Sequence, residues 1–305
     1  MQEVGTLCKT VHMKLPHPYK AEQRRRRRRL DIRGVQYNVT EWGNTSAPRF
    51  IYLHGWADTG STFQFVVDAM KTDWHIIAPD WRGFGRSTVD CTSYWFPDYL
   101  ADLHELLAIY SPDQPARIVG HSMGANIAGL YAGAMPERVT ALVNIEGFGL
   151  VDSDPAEAPI RYRQWIEEAQ SLPGFTRYSD IRALATRIAR RSPRMSAVQA
   201  DFVAREWSAM RKDSRVELRA DPRHKLPNPV LYRRAEAEAC WKAIEADVLL
   251  VTGRASDLAG HFGSLSNTFC PGDQRVVIDG AGHMLHFEAP AELATVIETF
   301  LSKYL

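Results

Sequence analysis

Ala116–Pro136 reads ARIVGHSMGANIAGLYAGAMP, and the pentapeptide Gly120-His121-Ser122-Met123-Gly124 inside it decides the fold. A short apolar run, Ile118-Val119, stops at a glycine; a serine follows, and a segment rich in small residues begins at once. This is the G-x-S-x-G pattern of a tight strand-to-helix turn whose serine hydroxyl projects from the sheet. Glycines on either side let strand and helix approach closely around a strained backbone. At the start of the helix, free N–H groups and the dipole favour negative charge developing next to Ser122.

Outward from this turn, strands and helices alternate, which predicts an α/β chain with a mostly parallel sheet. Leu30–Arg33 and Gln36–Glu41 read as an opening hairpin through Gly34. Phe50–Leu53, His75–Pro79, Ile118–Val119 with its flanks, Ala141–Ile145, Val248–Thr252 and Arg275–Ile278 are short Ile/Val/Leu-rich runs. Such runs suit strands buried on both faces. Ser61–Met70, Pro97–Tyr110, Met123–Met135 and Ala289–Tyr304 have helical spacing. The small residues after Ser122 cost helix propensity, which makes sense if that helix presses closely on the sheet. Between Val151 and Tyr232 the alternation breaks; clear strands are missing, and Ile160–Ala169, Ile181–Arg191 and Ala197–Met210 look helical. An insertion this long is read as a helical cap over the strand ends. The expected division is therefore an extension (1–29), a core (30–150 and 233–305) and a cap (151–232).

Of 305 residues, 45% are hydrophobic and 24% charged, with a formal net charge of +1, an ordinary globular balance. No global field recruits nucleic acid or an anionic membrane, and no apolar run approaches the roughly 20 residues that span a bilayer. The first twenty residues lack an apolar secretory core. Cys8, Cys91, Cys240 and Cys270 have neither disulfide-framework nor metal-ligand spacing, so reduced thiols in a cytoplasm are expected. Arg24–Arg29 are six consecutive arginines. With no aromatic residues between them, they read as a solvated entry into the first strand, with alternate side chains exposed, rather than a phosphate-binding patch.

A serine nucleophile needs a base within hydrogen-bond reach and a third group to orient that base. His283, in Asp279-Gly280-Ala281-Gly282-His283 directly after the last strand, is the base candidate; His286 is the nearest competitor and suits the turn into the final helix. Two carboxylates fit the third role. Asp257 follows the strand Val248–Thr252 and is favoured, while Glu146 follows Ala141–Ile145 and is the alternative. The backbone N–H groups of Met123 and Trp56 are the expected oxyanion donors, with Trp56 in His54-Gly55-Trp56-Ala57 after an early strand. Trp56, Phe148 and Trp165 are candidate substrate contacts, and Phe175, Phe202, Trp207 and Met210 are further cap residues of that kind. In Asp80-Trp81-Arg82-Gly83-Phe84-Gly85-Arg86-Ser87 the carboxylate and guanidinium are expected to pair and shape a loop. No HExxH, CxxC, GxGxxG or Walker pattern is present, so neither metal nor cofactor is implied.

In this order and spacing, HGWADTG, APDWRGFGRS, GHSMG and GAGHMLHFEAP resemble the α/β-hydrolase superfamily, over most of Gln36 to Leu305. The stretch RADPRHKLPNPVLYRR (Arg219–Arg234) is similar to its bacterial serine-hydrolase-like members. The resemblance implies an eight-stranded sheet, a Ser–acid–His triad and a helical lid. Family members commonly carry Gly-x-x-Asp after the seventh strand; here Ser256 fills that place and Asp257 comes one later, while some relatives take the acid where Glu146 stands. The implied activity is hydrolysis of a carboxylic ester or related acyl compound. Cofactor-free lyase or oxygenase chemistry with His283 as base is the second reading, and non-catalytic ligand binding the third. Relatives acting on haloalkanes or epoxides carry aspartate at the elbow, where this chain has Ser122. The expected partner is a small-molecule substrate, with no nucleic acid or membrane, for a chain acting as monomer or homodimer.

Overall fold

A computed structural model describes residues 18–88, 91–257, 269 and 272–305. Eight strands form the main sheet: β1 (Arg26–Ile32), β2 (Val35–Trp42), β3 (Arg49–Leu53), β4 (His75–Pro79), β5 (Ala116–His121), β6 (Val139–Ile145), β9 (Asp247–Gly253) and β10 (Gln274–Ile278). Their order is β1-β2-β4-β3-β5-β6-β9-β10. β2 runs antiparallel to β1 and β4, and every other pairing is parallel. Seven of the eight strand runs read from the sequence lie within this sheet, and the first, Leu30–Arg33, overlaps β1 but runs one residue past it into the turn at Arg33.

Successive side chains of a strand point to opposite faces, and here both faces are dry. Ile118, Leu142 and Leu250 pack with α2 (Pro97–Tyr110), α3 (Met123–Ala134) and α7 (Arg234–Lys242) through Leu103, Leu106, Ile127 and Trp241. Their neighbours Val119, Val143 and Val251 face α1 (Gln64–Ala69) and the closing helix α9 (Pro290–Leu301) through Val66, Leu293, Ile297 and Phe300. Each such side chain contributes about 1.5–3 kcal/mol on burial. The short helix α8 (Leu285–Glu288) sits between β10 and α9. No helix among the described residues is long and apolar enough to cross a membrane.

After β6 come α4 (Ala158–Gln170), α5 (Ile181–Arg191), α6 (Ala197–Trp207) and a two-stranded hairpin, β7 (Ser208–Met210) with β8 (Val216–Leu218). The helices match the sequence reading, but the hairpin replaces the end of the third one. Strands of three residues are too short to show an alternating pattern. Leu184, Ile188, Val203 and Ala204 of α5 and α6 form a small core of their own, seated on Phe65 and Phe287.

The first strand corrects the expected boundary. β1 begins at Arg26, inside the arginine run, and pairs with β2 from Arg26↔Glu41 to Ile32↔Val35. Arg26–Arg29 are all exposed, so the alternation lies in their partners and not in their exposure. Arg25 and Arg27 donate to the carboxylate of Glu206 on α6, at 2.7 and 2.9 Å, while Arg26 reaches the Gly43 carbonyl at 2.9 Å. Long guanidinium arms let the backbone join the sheet while each charge finds its own partner.

Candidate active site

Ser122 directly follows β5 in a left-handed conformation (φ 50°, ψ −115°) that costs a non-glycine residue about 1–3 kcal/mol. Hydrogen bonds on both sides hold it there: its N–H donates across to the Ile145 carbonyl of β6 at 2.8 Å, and its carbonyl accepts the Asn126 N–H in the first turn of α3 at 3.0 Å. A methyl group on Gly124 would lie 2.2 Å from the Leu53 carbonyl oxygen, so only glycine lets α3 start this close to β3.

His283 stands in the loop after β10 with its side chain one-third exposed. Its Nε2 is 3.1 Å from Ser122 Oγ, and its Nδ1 is 3.2 Å from Glu146 Oε2. An Nδ1–H donated to the carboxylate leaves the Nε2 lone pair facing the serine hydroxyl, the tautomer a general base requires. Glu146 is the residue directly after β6, buried, with φ 59°. The Gly253 N–H donates to its Oε1 at 2.8 Å and the Ser256 hydroxyl to its Oε2 at 2.7 Å.

The favoured carboxylate of the sequence reading is therefore not the one beside the imidazole. Asp257 is exposed and has no hydrogen bond to His283 among the described residues. Ser256 occupies the position facing inward from that loop, and its hydroxyl supports Glu146, which reaches in from the neighbouring strand. A short donor on one strand and a longer acid on the next fill the space that an aspartate after β9 would need.

His54-Gly55-Trp56 turns past the elbow. A methyl on Gly55 would come within 3.2 Å of Ser122 Cβ and 2.9 Å of His121 Nδ1, so the bare glycine brings Trp56 alongside the nucleophile. The His54 imidazole braces this turn. Its Nε2 accepts the Trp81 N–H at 2.8 Å, which leaves the proton on Nδ1 to donate to the Gly55 carbonyl at 2.7 Å. Burial holds His54 below its ordinary pKa, so it stays neutral. Among the described residues no carbonyl takes the amide of Trp56 or Met123; both remain available to an incoming oxygen.

The aromatic candidates separate. Trp56 is 49% exposed, and its ring lies 6.1 Å from Phe175, which places both at the mouth of the site. Phe148 belongs to the buried core beside α7, Phe202 packs on Phe65 and Tyr19, Met210 projects into solvent, and Trp165 is half-buried on α4 without a ring contact to the site. The loop after β4 also differs from expectation. Arg82 pairs with Asp102 of α2 through two 2.6 Å hydrogen bonds, while Asp80 accepts the N–H groups of Gly60 and Arg86 and the Asn38 amide. A planar guanidinium two residues beyond Asp80 meets a carboxylate on the neighbouring helix more squarely than its own strand end.

Two residues near the serine carry contacts the sequence did not reveal. Asp58 and His286 are fully buried and hydrogen-bonded at 3.0 Å, against the ring of His121. The H-x-x-H spacing of His283 and His286, with an acid inside HGWAD, was the available signal.

The model of the alpha/beta hydrolase fold family matches residues 48–290. The chain belongs to this family. This α/β hydrolase is 26% identical to the 2-(acetamidomethylene)succinate hydrolase of Mesorhizobium japonicum over 276 residues, which cover 90% of this chain and 94% of that one. It is 32% identical to a serine hydrolase-like protein of Danio rerio over 129 residues, 42% of this chain and 39% of the relative's length. Among solved structures, the thioesterase domain from the curacin biosynthetic pathway superposes with a TM-score of 0.80 at 25% identity, covering 90% of this chain and 99% of that one. The family match and the hydrolases among its relatives support a general hydrolase activity.

Proposed function

We propose that this hydrolase cleaves carboxylic esters or closely related acyl compounds through an acyl-enzyme on Ser122. The observation that carries the reading is the continuous relay from Ser122 Oγ through His283 to Glu146, at 3.1 and 3.2 Å. His283 Nε2 takes the serine proton as Oγ attacks the carbonyl carbon, and Glu146 stabilises the imidazolium that forms. The amides of Trp56 and Met123 donate to the oxyanion of the tetrahedral intermediate. As that intermediate collapses, the imidazolium returns its proton to the departing alcohol. Water, deprotonated by the same nitrogen, then attacks the acyl group and frees Ser122. Trp56 and Phe175 at the mouth are the proposed substrate contacts, which makes the cap the place where acyl length is judged. The 2-(acetamidomethylene)succinate hydrolase and the thioesterase domain among the similar proteins support a hydrolytic reading.

The test is reaction of the purified protein with a fluorophosphonate, the modified residue being located by mass spectrometry. Labelling at Ser122 that disappears in His283→Ala is expected. Folded protein that resists the probe sinks the acyl-enzyme reading.

A further inference from the structure

Asp58 is a buried carboxylate outside the relay, and three separate elements donate to it. From its own turn come the Thr59 N–H at 2.8 Å and the Thr62 hydroxyl at 2.7 Å, both to Oδ1. From α6 in the cap comes Trp207 Nε1–H, also to Oδ1, at 2.6 Å. From α8 comes His286 Nε2, to Oδ2, at 3.0 Å. Burial alone would raise its carboxyl pKa; the hydrogen bond from His286, the nearby His286 and His54 imidazoles and the Thr62 hydroxyl outweigh burial and hold it at about 2. The group is an anion at any working pH, and a buried anion with four donors calls for a reason.

The reason lies along a row of imidazoles. The His286 ring is 4.6 Å from that of His121, which is 4.9 Å from that of His283. His121 Nε2–H donates to the His283 carbonyl at 2.9 Å. Nδ1 of His121 and Nδ1 of His286 are buried without a hydrogen-bond partner among the described residues. With its proton on Nε2, each ring leaves only a lone pair unsatisfied, less costly than an orphaned N–H. Burial also holds His121 well below its ordinary pKa, with His286 and His283 adding to the effect. These two rings therefore act as fixed donors and spacers. Asp58, His121 and His286 also place ligating atoms within 4.8 Å of one another. Four donors already occupy the Asp58 oxygens and both Nε2 atoms are engaged, so a hydrogen-bonded network explains the cluster better than a metal site.

We infer that Asp58 is a positioning residue for His283, fixing its loop through His286 and His121 and tying that loop to the cap through Trp207. The inference rests on the reading of His283 as the base. The groups that face the row are Glu146 and Asp58 at its two ends, with His54 near Asp58 and Asp80 beside His54. An imidazolium forming at His283 thus meets a second fixed negative charge beyond Glu146, while its backbone is held from below.

The experiment compares Asp58→Asn and Trp207→Phe with the parent, reading kcat and KM on a short activated ester, the pH profile and the 15N NMR titration of His283. In Asp58→Asn, kcat is expected to fall about 10- to 100-fold with KM within about threefold. Loss of the anion should lower the His283 titration and the acid limb of the profile by about half a unit or more. In Trp207→Phe the anion and the ring remain, so a threefold to tenfold loss of kcat is expected with the titration unmoved. A folded Asp58→Asn with parental titration and kcat overturns the inference, whatever its melting temperature. Should Asp58→Asn fail to fold, Trp207→Phe decides, and parental kcat there overturns the tie to the cap. The NMR titration reads His283 even if Ser122 resists the fluorophosphonate, so failure of the inference and failure of the hydrolytic reading give different results.

Discussion

The sheet core and the cap over it are held together by different physics. In the core, Ile118/Val119, Leu142/Val143 and Leu250/Val251 send neighbouring side chains into two separate dry layers. That packing is dense enough to keep strained residues such as Ser122 and Glu146 in left-handed conformations. In the cap, α4 has no buried residue, and Ile160, Tyr162 and Ile166 are exposed. α6 rests on Phe65 and Phe287 through Val203 and Ala204, and polar contacts reinforce that small apolar seat: Glu206 to Arg25, Arg27 and Ser61, and Trp207 to Asp58. Bond-making groups sit in the dense two-layered core, while the cover rests on a smaller apolar cluster and a few polar contacts that can be broken singly.

The contrast can be broken first at the chemistry. Ser122→Ala and His283→Ala should each lower ester turnover at least about 10⁴-fold, with circular dichroism and melting temperature at parental values. Comparison of the two carboxylates sharpens the picture within the core. Glu146→Gln should cost about 10⁴-fold in kcat by analogy with an amide in a protease triad, whereas Asp257→Asn should stay within about threefold. The reverse order would return the acid to the loop after β9.

The seam between core and cap comes next. Removing Arg25 and Arg27 together strands a buried Glu206 and should cost about 2 kcal/mol in denaturant unfolding. Glu206→Gln leaves two arginines free to turn to water and should cost under about 1 kcal/mol. Equal effects would mean the seam does not depend on charge. Asp58 gives the pH dependence of the same seam. Its pKa is depressed from 3.8 to about 2, so it adds stability that is fully present above about pH 4 and is lost as pH falls towards 2. The parent should therefore lose about 2 kcal/mol relative to Asp58→Asn across that window. The smallest effect belongs to α4. Ile160→Ser and Ile166→Ser should shift stability by no more than about 0.5 kcal/mol while altering KM for the longest substrates.

Much of this was legible from residue pattern alone, for a definite reason. Strands buried on both faces announce themselves as runs such as LVNI and VLLVT, and the elbow dictates the sharp turn and the close-packed helix after β5. Arg26–Arg29 hid a strand because arginine carries its charge far from its backbone, so the sequence looked solvated where the chain was pairing with β2. The choice between Glu146 and Asp257 was not legible, since both follow strands in the right order and only the inward-turned Ser256 separates them. Asp58 stayed hidden because its donors come from residues 59 and 62 nearby but also from 207 and 286, which no local pattern joins.

The arginine strand has one more consequence. β1 lies at the edge of the sheet, and among the described residues no strand pairs with its outer side. An open edge of seven residues invites the same edge of a second copy to join it. Two such strands laid side by side would set Arg26–Arg29 of one against like charges of the other, and the repulsion would drive them apart. The arginines that read in the sequence as a solvated entry into the first strand thus line, in the fold, an edge where charged side chains disfavour pairing between copies.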